Sequence, residues 1–256
     1  MIQWAVSIAI ILGVVLSSVA GLVIARRVAD HTYLRQHNDV AGFIYSVVGI
    51  LYGVLLAFIV IAVWEEYEDA GRAIDAEASV IREIYRDSGA LPDGFRTEVR
   101  RALLAYTDVL AQHEWQALSE GQGRGSAAVD AALNHLWATY DVFVPQDAND
   151  KIWYAEIIRR MNALESYRKA RILASKFELP GIMWAVLLLG GAIVIVFAYL
   201  FGTANASAHL LMVGALAATV SMAILLIWAL EHPFSGLAHV SDQPIRLLHA
   251  QLLTIQ

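Results

Sequence analysis

Apolar positions in this chain come in long blocks, and charged positions fall between them. Residues 2–25, 40–64 and 179–230 contain no Asp, Glu, Lys or Arg. About 20 apolar residues in a helix cross the roughly 30 Å of hydrocarbon in a bilayer. The pattern therefore predicts four spanning helices, over residues 4–25, 43–64, 181–202 and 209–230. Tyr45, Tyr52 and Trp64 read as anchors of the second span at the membrane interfaces, where aromatic rings collect. The last two spans make a hairpin around the small polar turn Thr203-Ala204-Asn205-Ala206-Ser207. The first apolar block lacks a basic leader and is too long for the apolar core of a signal peptide, so it reads as a span.

The stretch between spans two and three differs in kind. Residues 65–178 hold 14 Lys/Arg and 20 Asp/Glu. Ile74, Ala78, Ile81 and Tyr85 recur at helical spacing. No Gly or Pro stands between Arg72 and Ser88, so the second span is expected to continue into water as one long helix. Gly89 and Pro92 end it. Val99, Leu103, Tyr106 and Leu110 mark one face of a helix over residues 94–118. The Gly-rich run 121–126 is a turn. A short helix follows through Tyr140, and Pro145 breaks it. A long helix then runs from Ala148 toward Phe177, with Asp147 and Asp150 available to cap it. Pro180 marks the start of the third span.

These elements define an all-α integral membrane protein. Four transmembrane helices carry a helical cytosolic domain inserted between spans two and three. The expected domains are a first transmembrane pair over 1–64, the helical domain over 65–179, a second pair over 180–230, and a C-terminal tail over 231–256. Composition agrees: 58% of residues are hydrophobic and 16% charged, against about 25% charged in a soluble domain. The chain has no Cys, which removes disulfides, thiolate metal sites and cysteine nucleophiles. A net charge of −6 argues against nucleic acid as a partner.

Basic residues near span ends set orientation. Arg72, Arg82, Arg168, Lys169, Arg171, Lys176 and Arg246 lie on the side of the middle domain, and Arg26, Arg27 and Arg35 on the other. The excess places the middle domain and both termini in the cytoplasm, with the chain multi-pass in the inner (plasma) membrane.

Enzymatic constellations are missing. His113-Glu114 has no second His at metalloprotease spacing, and there is neither a nucleophile elbow nor a P-loop. The spans hold no carboxylate, which speaks against an intramembrane protease or a proton relay. His232 and His239 lack a third ligand, and His209 fits an interfacial role better than ligation. No catalytic residue, metal site or cofactor is expected.

The second span is the informative one. Gly49, Gly53 and Ala57 are small residues four apart, a spacing that lets two helix backbones approach closely in a bilayer. One step round the helix stand Ile50, Val54 and Phe58, also four apart, and Glu65 and Glu66 follow where the hydrocarbon ends. Several copies around an axis would pack through the small stripe and turn the bulky stripe inward. That makes a hydrophobic constriction able to gate by dewetting, with carboxylates at its inner mouth. The same bulky stripe fits a lipid-facing or bundle-core surface, and the acidic run fits the solvated start of a juxtamembrane helix. Gly13, Ser17 and Gly21 in the first span, and Gly190, Gly191 and Gly214 in the hairpin, speak for helix packing only.

The stretch from Gly49 to Phe58, followed by Trp64-Glu65-Glu66-Tyr67, resembles the pore helix of bestrophin channels. Glu231-His232-Pro233-Phe234-Ser235-Gly236 and Ser241-Asp242-Gln243-Pro244-Ile245 are similar to the motif that follows the last span in that family. The order of elements agrees along nearly the whole chain. The resemblance implies a homo-oligomeric ion channel, a pentamer with a central pore whose neck positions fall on Ile50, Val54 and Phe58. It also implies a post-span motif at Glu231, Pro233 and Phe234. Its partners would be copies of itself, the lipid bilayer and small inorganic ions. Ile59, Val60 and Ile61 stand where the family has Arg and Asn, so the constriction would be longer and drier. Leu237, Ala238, His239 and Val240 replace the acidic run that binds calcium in animal members, so calcium gating is not expected. Selectivity stays open, with the acidic mouth leaning toward cations. The alternative is a membrane-anchored helical scaffold or sensor without conduction. A small-solute transporter is weaker still, because no span is discontinuous or charged.

Overall fold

The computed structural model describes residues 2–28, 31–120 and 125–254, and every regular element among them is a helix. α1 covers Ile2–Val28, α2 His31–Gln36 and α3 Asn38–Asp87. A 3-10 turn at Ser88–Ala90 leads to α4, Asp93–Val109. A π turn, Leu110–Glu114, joins α4 to α5, Trp115–Ser119. α6 is Ala127–Asp141 and α7 Ala148–Ala174. α8, Gly181–Phe197, ends in a 3-10 turn, Ala198–Leu200. α9 is Ala206–Leu230 and α10 Gln243–Thr254. Four of them, α1, α3, α8 and α9, are long and apolar enough to cross a membrane. Part of the glycine-rich run, residues 121–124, lies outside the described residues.

The long α3 follows from its composition. It has 50 residues and no proline, and no glycine after Gly71. At 1.5 Å per residue that is about 75 Å, more than twice a bilayer core. Its C-terminal half buries Ile74, Ala78, Ile81 and Tyr85, the residues whose periodicity marked it as helix.

The chain divides into two compact units, residues 1–64 with 178–231 and residues 65–177 with 232–256. In the first, α1 lies along α9. Gly21 makes room for the Tyr199 ring, whose hydroxyl donates to the Ser18 carbonyl at 2.8 Å. The turn between α8 and α9 is held from two sides. Asn38 both donates to and accepts from the Gly202 backbone at 2.9 Å, and Arg26 donates to the Thr203 carbonyl at 3.2 Å.

The second unit has a core of its own. Val99, Leu103, Tyr106 and Leu110 from α4 and the π turn are fully buried, as are Leu136 and Tyr140 of α6 and Ile157, Met161 and Leu164 of α7. Burying each such aliphatic side chain is worth about 1.5–3 kcal/mol. Asp147 caps α7 by accepting from Asp150 N at 2.7 Å, while Asp150 accepts from Gln146 N at 3.1 Å. The segment after the fourth span is more than a tail. α10 packs on α4, and Ile245, Leu248 and Leu252 are buried in this core with Phe234 and Val240. Val240 N donates to the Pro233 carbonyl at 2.7 Å and closes the loop between them, in which Gly236 takes φ +85°.

Candidate functional site

The surface of α3 within the first unit has three sides. Its back packs on α8 and α9. Tyr52 is buried with Val194, Ile195, Ala217 and Val220, and Ile59 and Val63 are buried further along. Tyr52 is thus a packing residue and not the interface anchor its aromatic ring suggested. Its hydroxyl donates to the Leu187 carbonyl at 2.9 Å. Its ring fills a notch left by two glycines. A Cβ on Gly190 would lie 2.7 Å from the ring, and one on Gly191 would lie 2.9 Å from the hydroxyl.

Ile50, Val54 and Phe58 stand on the other side. At 100° per residue their mean direction is about 160° from Tyr52. They are bare in the single chain, with 66%, 50% and 69% of their surface exposed. Gly49, Gly53 and Ala57 form one flank. Gly53 and Ala57 are exposed, and a Cβ on Gly49 or Gly53 would meet nothing within 4 Å. Among the described residues, no other helix uses the closeness that Gly49 and Gly53 allow. On the other flank an apolar groove of about 390 Å³ runs between α3 and α8, with Leu51, Leu55 and Phe58 facing Ile182, Met183 and Val186. Beyond the apolar run Glu65 is exposed and Glu66 half-buried.

Glu231 sits at the end of α9. It is buried, and its Oε1 accepts from Leu179 N at 2.6 Å and from Trp184 Nε1 at 3.2 Å. One carboxylate therefore ties the end of the fourth span to the start of the third. Pro233 and Phe234, further along the same motif, are buried in the second unit.

His209 is also buried. Arg26 Nη1 stands 3.1 Å from its Nδ1, and the Ala198 carbonyl 3.0 Å from its Nε2. Arginine only donates, so Nδ1 accepts and Nε2–H donates to the carbonyl. The ring bridges α1 and the α8–α9 turn. Among the described residues no three His, Asp or Glu side chains are grouped to hold a metal.

The second unit encloses a network the sequence did not reveal. Arg171 donates from Nε to Glu77 Oε2 at 2.8 Å, from Nη2 to Glu77 Oε1 at 3.2 Å and from Nη1 to Glu114 Oε1 at 3.0 Å, with all three side chains fully buried. Tyr106 donates to Glu77 at 2.8 Å. Arg168 donates to Asp130 at 2.6 Å, and Ser126 N to Glu114 at 2.7 Å. Arg168 and Arg171 had counted as basic residues near a span end. They are buried and spent on carboxylates within the unit. Burial draws the Arg171 guanidinium down, but the Glu77 charge and hydrogen bonds outweigh it and hold the group above its usual range.

Comparison with known proteins gives this arrangement a family. The Bestrophin-like domain matches residues 12–245 of the chain. The chain belongs to the bestrophin-like family. Its fold is similar to that of a bacterial bestrophin homolog from Klebsiella pneumoniae, with TM-score 0.72 at 16% identity over 96% of this chain and 98% of that one. A mutant of that homolog gives 0.72 at 16% identity over 97% of both chains. A protein described only as a membrane protein gives 0.71 at 14% identity over 96% and 98%. No curated protein matches. The bestrophin-like chain is thus a membrane protein with helical spans, and the fold expected from its sequence is the fold observed.

Proposed function

We propose that this bestrophin-like protein is a homo-oligomeric ion channel, a pentamer whose neck is lined by Ile50, Val54 and Phe58. The observation that carries this reading is the bare edge of α3, three bulky side chains that the described residues of their own chain leave half or more exposed. The open flank at Gly49, Gly53 and Ala57 supports close packing by a second copy. Copies related by a rotation axis would wall a constriction that excludes water until it widens. Glu65 and Glu66 would ring the inner mouth and favour cations there. Glu231 would keep the third and fourth spans together at the membrane end, with Pro233 and Phe234 anchoring the segment that follows. The protein would sit in the inner membrane with both termini and the polar unit in the cytoplasm, and it would carry out no catalysis.

Oligomer mass by native mass spectrometry in mild detergent tests the assembly. Five copies support the reading, and a monomer or dimer defeats it. A second reading, an anchored scaffold, draws on exposed apolar residues of the polar unit, Val142, Val144 and Ile152, which offer a docking face for a soluble partner. It predicts a smaller assembly and indifference to polar substitutions from Ile50 to Phe58.

A further inference from the structure

A neck made by one edge of a helix works only if the helix cannot roll. A roll of about 60° would exchange Val54 for Ala57 at the axis, since the two residues stand that far apart on the helix. In a bilayer the apolar face of a span gains little by facing protein instead of lipid, so rotation must be fixed by close packing or by polar contacts. The side of α3 behind the neck has both at one residue. Tyr52 is buried, its ring occupies the space where Gly190 and Gly191 lack side chains, and its hydroxyl reaches the Leu187 carbonyl of α8 at 2.9 Å. The other buried residues on that side, Ile59 and Val63, are apolar and bring no directional bond.

We propose that Tyr52 is the positioning residue of the neck. Its ring in the Gly190–Gly191 notch sets the rotation of α3, and its hydroxyl on Leu187 O holds Ile50, Val54 and Phe58 toward the axis. The inference rests on the pore reading above, and it assigns to the notch the control of how wide the neck stands. Tyr52 touches no permeating ion and acts through the helix it orients.

The absence of native cysteine makes the test clean. Single cysteines at Val54 and Ala57 are introduced into the full chain in liposomes, and disulfide crosslinking between copies is followed with Tyr52 intact, with Tyr52→Phe and with Gly191→Ala. With Tyr52 intact, Val54→Cys crosslinks faster than Ala57→Cys. Tyr52→Phe, which keeps the ring and removes the hydroxyl, lowers that rate ratio by about fivefold to tenfold, the weight of one buried hydrogen bond. Channel open probability shifts in the same variant while ion selectivity does not. Gly191→Ala, which closes the notch, lowers the ratio further. Absence of crosslinks at both positions with Tyr52 intact defeats the ring of copies, and the positioning role with it. Crosslinks whose ratio is unchanged by Tyr52→Phe overturn the positioning role alone and leave the pore reading standing.

Discussion

Arg171 and Glu77 form a two-bond ion pair at the centre of the polar unit, 94 residues apart in sequence and both without exposed surface. Glu114 shares the guanidinium. Removing one partner of a buried pair leaves an uncompensated charge, at a cost of about 3–5 kcal/mol. Arg171→Met strands two carboxylates and is expected to cost at least that much in urea unfolding of the detergent-solubilised protein. Glu77→Gln in the Arg171→Met background is expected to recover part of the loss, and a double variant as unstable as the sum of the single ones would contradict the coupling.

Two buried phenols, one of them in this network, are expected to make the polar unit sensitive to alkali. Burial, followed by the Glu77 charge, holds the Tyr106 hydroxyl well above its ordinary value of 10.0, and burial followed by Tyr154 raises Tyr140. In the unfolded chain both phenols ionise near pH 10, whereas folded they keep their protons. The stability they contribute is present in full below that pH and is lost as pH rises above it. Melting temperature is therefore expected to fall between about pH 9 and pH 11, and Tyr140→Phe is expected to shallow the fall. The Tyr140 hydroxyl has no hydrogen-bond partner, so at neutral pH this change should be neutral or stabilising by up to about 1 kcal/mol.

Gly125 lies against the buried charges with φ +68°, and a Cβ there would come 2.9 Å from Glu114 Oε1 and 3.0 Å from the Ile172 side chain. Gly125→Ala meets both strain and a clash. It should destabilise the polar unit by about 1–3 kcal/mol, measured by thermal melting, while the oligomer mass at low temperature stays unchanged.

Glu231 offers a different contrast. Glu231→Ala leaves Leu179 N and Trp184 Nε1 without their acceptor and should cost about 2 kcal/mol, whereas Glu231→Gln keeps one acceptor oxygen and should cost less than half of that. Fluorescence of Trp184 in single-Trp protein reports the loss, and equal effects of the two variants would exclude the hydrogen-bonding role.

The fold was legible because its signals are local. Charge-free blocks give the spans, and the positions of Ile74, Ala78, Ile81 and Tyr85 with no helix breaker among them give the continuation of α3. The bulky edge of the candidate site was readable for the same reason, a four-residue repeat within one helix. What escaped depends on contacts between distant residues. Nothing near Glu77 points to Arg171 or Glu114, and Arg168 looked like a surface cation until its carboxylates were in place. Tyr52 looked like an interface aromatic because its partners, Gly190 and Gly191, lie on another helix. The apolar positions Ile245, Leu248 and Leu252 carried a signal for α10, at helical spacing within a stretch read as a tail.

The central claim is that the edge of Ile50, Val54 and Phe58 walls an ion path. Single-channel recording of the purified full chain in planar bilayers, wild type beside Phe58→Ala and under asymmetric salt, tests it directly. Discrete openings in the wild type, with higher open probability or conductance when the Phe58 ring is removed, are the expected result. Silence from both proteins, with oligomers intact, would contradict it.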